Sequence, residues 1–192
     1  MNPLAWARAE VLHFAWQKGW YQPPDRRVLR DAILGSLARA EEVRRVLFVG
    51  VQWYTKDYPG LLPGKVFATI DPEAKLAPFG GSPHVVGFVQ DLERHFPGEP
   101  FDAIVMSGVI GFGLNDRDGV ERALEACAAK LRPGGWLVLG VNELKPTHVD
   151  VASTRAIAAF ERAPFPGLGE RTDVALPFRE RRHTFLFWKK RP

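Results

Sequence analysis

Val46-Leu47-Phe48-Val49-Gly50-Val51 decides the fold of this chain. Its first four residues form a short continuous apolar run, the pattern of a strand covered on both faces, and Gly50 closes it. A second run, Val66–Ile70, ends on Asp71, about 20 residues beyond the glycine. A glycine at the end of a first buried strand lets a ligand approach the backbone. A carboxylate at the end of the second is placed to accept hydrogen bonds from ribose hydroxyls. The pair points to a nucleoside-bearing ligand at the strand carboxyl ends of a parallel α/β sheet.

Outward from this stretch, strands and helices alternate. Further strands are expected at Val85–Val89, Phe101–Met106, Trp136–Val141 and Thr184–Lys189. The clearest helix is Asp118–Arg132, stopped by Pro133-Gly134-Gly135. Another is expected over Val151–Arg162, and a short one over Leu92–Phe96. Before the first strand, Pro3–Gln17 and Arg26–Glu42 carry apolar residues at helical spacing, separated by Gly19 and Pro23-Pro24, with Asp25 as a cap. The second of these places Val28, Leu29, Ile33, Leu34 and Leu37 on one face. The expected architecture is a single domain over residues 1–192, with a helical cover over 1–43 and an α/β core over 44–192. The crossover Gln52–Gly64 contains Tyr58-Pro59-Gly60 and Pro63-Gly64, so only a turn or two of helix fits. It lacks the later glycines and the long helix of a pyrophosphate-binding loop, which disfavours a dinucleotide.

Composition bounds the rest. The 192 residues are 25% charged and 46% hydrophobic, ordinary for a soluble globular chain. No apolar run approaches a membrane span, and Met1–Trp20 is interrupted by Arg8, Glu10 and Lys18, so the expected location is the cytoplasm. The single cysteine, Cys127, excludes an intrachain disulfide and a cysteine-cluster metal site, and its helical setting makes it a packed core thiol. Net charge is +4, with basic residues at Arg26, Arg27 and Arg30 and at Arg179, Arg181, Arg182, Lys189, Lys190 and Arg191. These read first as solvated faces and second as an RNA-binding surface at the C-terminus.

From Arg44 to Lys190 the chain resembles the class I S-adenosylmethionine-dependent methyltransferases. Val46–Gly50 resembles their first strand and the start of its glycine loop, and Ala68-Thr69-Ile70-Asp71 their second strand with its ribose-binding acid. Val89-Gln90-Asp91-Leu92 resembles the segment that reads adenine through an acidic side chain and the next amide. Phe101–Met106 is similar to the fourth strand. Leu131-Arg132-Pro133-Gly134-Gly135-Trp136-Leu137-Val138-Leu139 is the most specific match, and His183–Trp188 is similar to the terminal antiparallel strand. The family's first motif carries an acid where this chain has Phe48, and glycines where it has Gln52 and Tyr54. The glycine loop is therefore a degenerate variant.

The resemblance implies a doubly wound, mostly parallel, seven-stranded, Rossmann-like sheet with an N-terminal helical cover. It implies S-adenosyl-L-methionine as cofactor, contacted by Gly50, Val51, Trp53, Tyr54, Asp71, Asp91, Leu92, Ser107 and Gly108. A sulfonium cation suits the aromatic faces of Trp53 and Tyr54. The donor methyl is already activated, so much of the acceleration comes from alignment, and a base is needed only if the acceptor must lose a proton early. Candidates for an acceptor-positioning group or base are Asn115, Asn142 and Glu143, with His148 and His183 behind them. The loop Ser107–Asn115 lacks the polar–Pro–Pro–aromatic signature of exocyclic-amine methyltransferases, and Cys127 in mid-helix excludes a covalent cysteine. A small-molecule acceptor leads. A non-catalytic interaction domain and an RNA methyltransferase are the alternatives.

Overall fold

A computed structural model describes residues 3–142, 149–177 and 182–192. Its sheet runs in the order β3-β2-β1-β4-β5-β8-β6. Strands β1 (Arg45–Val49), β2 (Val66–Asp71), β3 (His84–Val86), β4 (Phe101–Ser107) and β5 (Leu131–Val141) are mutually parallel. β8 (Arg182–Lys190) returns antiparallel to β5. β7 (Arg171–Ala175) and β6 (Phe160–Arg162) both pair with the outer edge of β8, along Arg182–Leu186 and Trp188–Lys190 respectively. Eight strands thus fill seven positions, and the sheet is the mostly parallel one expected.

Side-chain alternation explains why the sheet is covered twice. In β1, Leu47 and Val49 face one core, while Val46 and Phe48 face the other. β4 repeats this with Ile104 and Met106 against Ala103 and Val105. On the first side lies α5 (Arg117–Lys130), whose Val120, Ala123, Leu124 and Cys127 are buried. Burial pushes the Cys127 thiol up to about 12, so it stays protonated and packs as an apolar group. On the second side lies one continuous helix built of α2 (Pro24–Arg27), a π segment (Val28–Leu34) and α3 (Gly35–Arg39). It buries Leu29, Ile33, Leu34 and Leu37, the face read from their spacing. The preceding α1 (Pro3–Gln17) packs on the crossover through Trp16, whose ring lies 4.8 Å from Trp53 and 4.7 Å from Tyr54.

Three local expectations are corrected. Val151–Arg162 is not a helix but two 3-10 turns, Val151–Ser153 and Ala156–Ala159, followed by β6. Hydroxyls and a carboxylate take over the local backbone there: Ser153 Oγ donates to Asp150 O (2.7 Å), Thr154 Oγ1 to Val151 O (2.7 Å), and Asp150 Oδ1 accepts from Ala152 N (3.0 Å). β3 ends at Val86, because Val89–Asp91 turns as a 3-10 segment into α4 (Leu92–His95). Asp25 lies inside the helix and makes no cap, since its N-terminus opens on Pro23-Pro24 without a side-chain hydrogen bond. Among the described residues no helix is long and apolar enough to cross a membrane.

Candidate functional site

The carboxyl ends of β1, β2 and β4 meet at one rim of the sheet, as the parallel register requires. Gly50 leaves β1 with φ +82°, a conformation that side chains disfavour, and a Cβ there would come within 3.1 Å of Val109. Asp71 at the end of β2 is buried, and both its oxygens bind backbone amides: Oδ2 accepts from Val51 N (2.9 Å) and Oδ1 from Glu73 N (2.8 Å). These bonds fix the carboxylate while leaving each oxygen a further lone pair for a ligand. The short crossover supplies the next wall. Thr55 and Gln52 cap its 3-10 turn Trp53–Thr55, with Gln52 N donating to Thr55 Oγ1 (3.1 Å) and Thr55 Oγ1 to Gln52 O (2.8 Å).

A cavity of about 290 Å³ opens here. Gly50, Val51, Tyr54, Asp71, Ser107 and Gly108 line it, six of the nine positions expected to hold a cofactor. Trp53 is not in the lining; its ring packs on Trp16 and Tyr54. Asp91 is exposed outside the cavity, and Leu92 is buried in the core. The wall at that point comes instead from Phe88, Val89 and Gln90. Gln90 Oε1 is buried with no hydrogen-bond partner among the described residues, an acceptor awaiting a donor. Sequence reading passed over it for its acidic neighbour, and only the 3-10 turn after β3 decides which of the two faces inward.

A second cavity of about 240 Å³ adjoins the first and shares Gly108 and Phe112 with it. The intervening loop is held by its own bonds: Gly111 N donates to Leu114 O (2.8 Å) and Gly113 N to Val109 O (2.9 Å). Gly108 has φ +75°. The second cavity lies between the N-terminal helices and the ends of β5 and β8, lined by Trp16, Tyr21, Asp25, Arg26, Asn142 and His183 among others. Asn142, expected near an acceptor, is there. Asn115 is exposed and lines neither cavity. Glu143 and His148 lie outside the described residues.

His183 is buried, with Nε2 3.4 Å from Ser107 Oγ. A Cβ on Gly140 would stand 2.4 Å from that Oγ and 2.7 Å from that Nε2, so a bare backbone between β4 and β8 makes this approach possible. Burial pushes the His183 imidazole down to about 4, opposed by the Asp25 carboxylate and aided by the Arg26 guanidinium, so the ring is neutral at pH 7. Asp25 and Arg26 were not singled out for the site from sequence. Nothing local marks them, because the helix that carries them meets β5 and β8 only in the fold.

No protein family profile matches the chain, and no curated protein matches it by sequence. Solved structures do match by shape. The N-methyltransferase NodS from Bradyrhizobium japonicum superposes with a TM-score of 0.65 at 16% identity, covering 85% of this chain and 95% of that one. The same enzyme in complex with S-adenosyl-L-homocysteine gives 0.61 at 18%, covering 84% and 85%. A TehB-like SAM-dependent methyltransferase from Corynebacterium glutamicum gives 0.63 at 18%, covering 99% and 100%. An rRNA methylase from Streptococcus thermophilus gives 0.54 at 12%, covering 89% and 98%. Sheet order, double cover and these likenesses together show that the chain has the fold of the class I S-adenosylmethionine-dependent methyltransferases.

Proposed function

We propose that the chain transfers a methyl group from S-adenosylmethionine to a small-molecule acceptor. The observation that carries this reading is the first cavity, lined at the sheet's carboxyl rim by a fixed carboxylate and by Gln90, whose amide oxygen has no partner among the described residues. A nucleoside fits this set. Asp71 suits ribose hydroxyls, and Gln90 Oε1 suits the amino group of adenine. Gly50 and Gly108 keep the backbone open to a ligand, and Tyr54 lines the same space. When bound, this cofactor supplies an activated methyl group, so alignment rather than a nucleophile-activating constellation carries most of the acceleration. The N-methyltransferase found with S-adenosyl-L-homocysteine shares the fold and supports the same choice.

The crossover after Gly50 holds only the short turns Trp53–Thr55 and Pro59–Leu61, which gives no long helix to hold a pyrophosphate. A nicotinamide cofactor is therefore the poorer fit. The second cavity, about 240 Å³, suits a small acceptor better than RNA. The pairing of three of the basic residues points the same way: Arg182 lies 3.5 Å from Asp173, Arg191 3.5 Å from Glu161, and Lys189 Nζ 4.8 Å from the Trp136 ring centre. Calorimetric titration with S-adenosylmethionine and S-adenosylhomocysteine tests the proposal. Micromolar binding is expected, weakened about 100-fold by Asp71→Ala. A folded protein that takes up neither compound overturns it in favour of a non-catalytic domain.

A further inference from the structure

Two residues that line the second cavity each hold a buried acceptor without a hydrogen-bond partner among the described residues. Asp25 Oδ1 has no hydrogen-bond partner among the described residues; its other oxygen lies 3.4 Å from Arg26 Nε. Asn142 Oδ1, at the end of β5, is likewise unpartnered. Both residues are more than nine-tenths buried, at 6% and 7% exposure. They belong to different elements, and both line the same cavity. Unpaired buried oxygens are costly, and a ligand that brings donors removes the cost.

We propose that this cavity binds a small aromatic primary amine, its two N–H groups directed at Asp25 and Asn142. Donor count selects the amine. A neutral –NH2 offers two hydrogens to two oxygens and keeps one lone pair. A hydroxyl offers one hydrogen, and a carboxylate offers none and meets the Asp25 charge. Arg26 selects the neutral form. Its guanidinium sits against Asp25 and over the Tyr54 ring (4.8 Å), which disfavours a second cation beside it. An arylamine is uncharged at pH 7, whereas an alkylamine is not. Trp16, Tyr21 and Phe112 supply ring-bearing walls, and about 240 Å³ exceeds the roughly 150 Å³ that accepts benzene. Gly108 and Phe112 border both cavities, so the amine sits beside the first one. The amine is a ligand of this cavity and does not depend on the function proposed above.

Titration with aniline, phenol, benzylamine and benzoate, followed by the tryptophan indole signals in NMR, tests the inference without any cofactor present. Aniline is expected to bind at least tenfold tighter than the other three. Asp25→Asn and Asn142→Ala are each expected to weaken aniline about five- to tenfold and to leave phenol unchanged. Phenol, benzylamine or benzoate binding as tightly as aniline overturns it, as does aniline binding that neither variant alters, or no aniline binding at all. The S-adenosylhomocysteine titration separates the two proposals. Selective aniline binding in a protein that ignores the cofactor keeps the amine site and sinks the methyl-transfer reading. Cofactor binding without aniline selectivity does the reverse.

Discussion

The two ends of the parallel sheet are built on opposite principles. At the end where β4 begins, Asp102 gathers donors from three places. Its Oδ2 accepts from Arg44 N (2.7 Å) and Arg45 N (2.8 Å), and its Oδ1 pairs with Arg132 Nε. The Pro133-Gly134-Gly135 turn closes over it, with Gly134 at φ +72° and Gly135 so tight that a Cβ would stand 2.9 Å from Asp102 O. At the other end, Gln90, Asp25 and Asn142 each hold a buried oxygen without a partner among the described residues. At the Asp102 end the carboxylate is satisfied by the chain itself, although Arg45 Nε there has no hydrogen-bond partner among the described residues. At the other end it is buried oxygens that lack a partner, as the proposed cofactor and amine sites require.

Asp102→Ala strikes the satisfied end and carries the largest expected effect. Two strand-leading amides and a guanidinium lose one shared acceptor, at a cost of about 3 kcal/mol in chemical denaturation. Affinity for S-adenosylhomocysteine should stay within about twofold, because no cavity residue moves. A loss of cofactor affinity on the same scale as the loss of stability would erase the separation between the two ends.

The ends should also part company in acid. Burial raises the Asp102 carboxyl, but the Arg44 and Arg45 amides and the Arg132 guanidinium outweigh it and hold the group below the usual carboxylate range. Its stabilisation is present above that range and is lost as pH falls through the lowered value. His183 behaves otherwise. Between about 6.5 and about 4 the unfolded chain binds a proton that the buried imidazole does not, so stability falls as pH drops across that window. The loss is on the order of 2 to 3 kcal/mol. Denaturation curves of the wild type and His183→Gln, compared at pH 7 and pH 4.5, should converge as the pH is lowered. Parallel curves would mean that His183 titrates freely in the folded protein.

The satisfied end was far more legible in the sequence. Leu131–Leu139 announces its turn through Pro and Gly, and the apolar runs of β1, β2 and β4 announce burial on both faces. These are local signals with local causes. Gly50 and Asp71 were legible for the same reason, each sitting at the end of its own strand. Asp25, Arg26 and Asn142 come together only because a helix before β1 packs over the ends of β5 and β8. No spacing within any one of these segments encodes that meeting. Trp53 and Asp91 show the opposite hazard. Each has the right residue type beside the site, but a 3-10 turn directs the neighbour, Tyr54 or Gln90, into the cavity. β6 and β7 were hidden because their pairing with β8 is decided across the sheet edge, while Val151–Arg162 alone reads as helical.

Gln90→Leu gives the smallest expected effect and the sharpest contrast with Asp102→Ala. Leucine is close in size and leaves no unpaired oxygen in the wall of the first cavity. Stability should rise by up to about 1 kcal/mol, since a buried acceptor without a donor is removed. Affinity for S-adenosylhomocysteine should fall about five- to tenfold, because the donor that Gln90 Oε1 would meet on the ligand is then left without an acceptor. The two quantities thus move in opposite directions at this end of the sheet, and at the Asp102 end only one of them moves. Thermal unfolding and calorimetry on the same preparation decide it. If the variant is destabilised while its affinity holds, Gln90 Oε1 serves the fold, and the orphaned oxygens cease to distinguish the two ends.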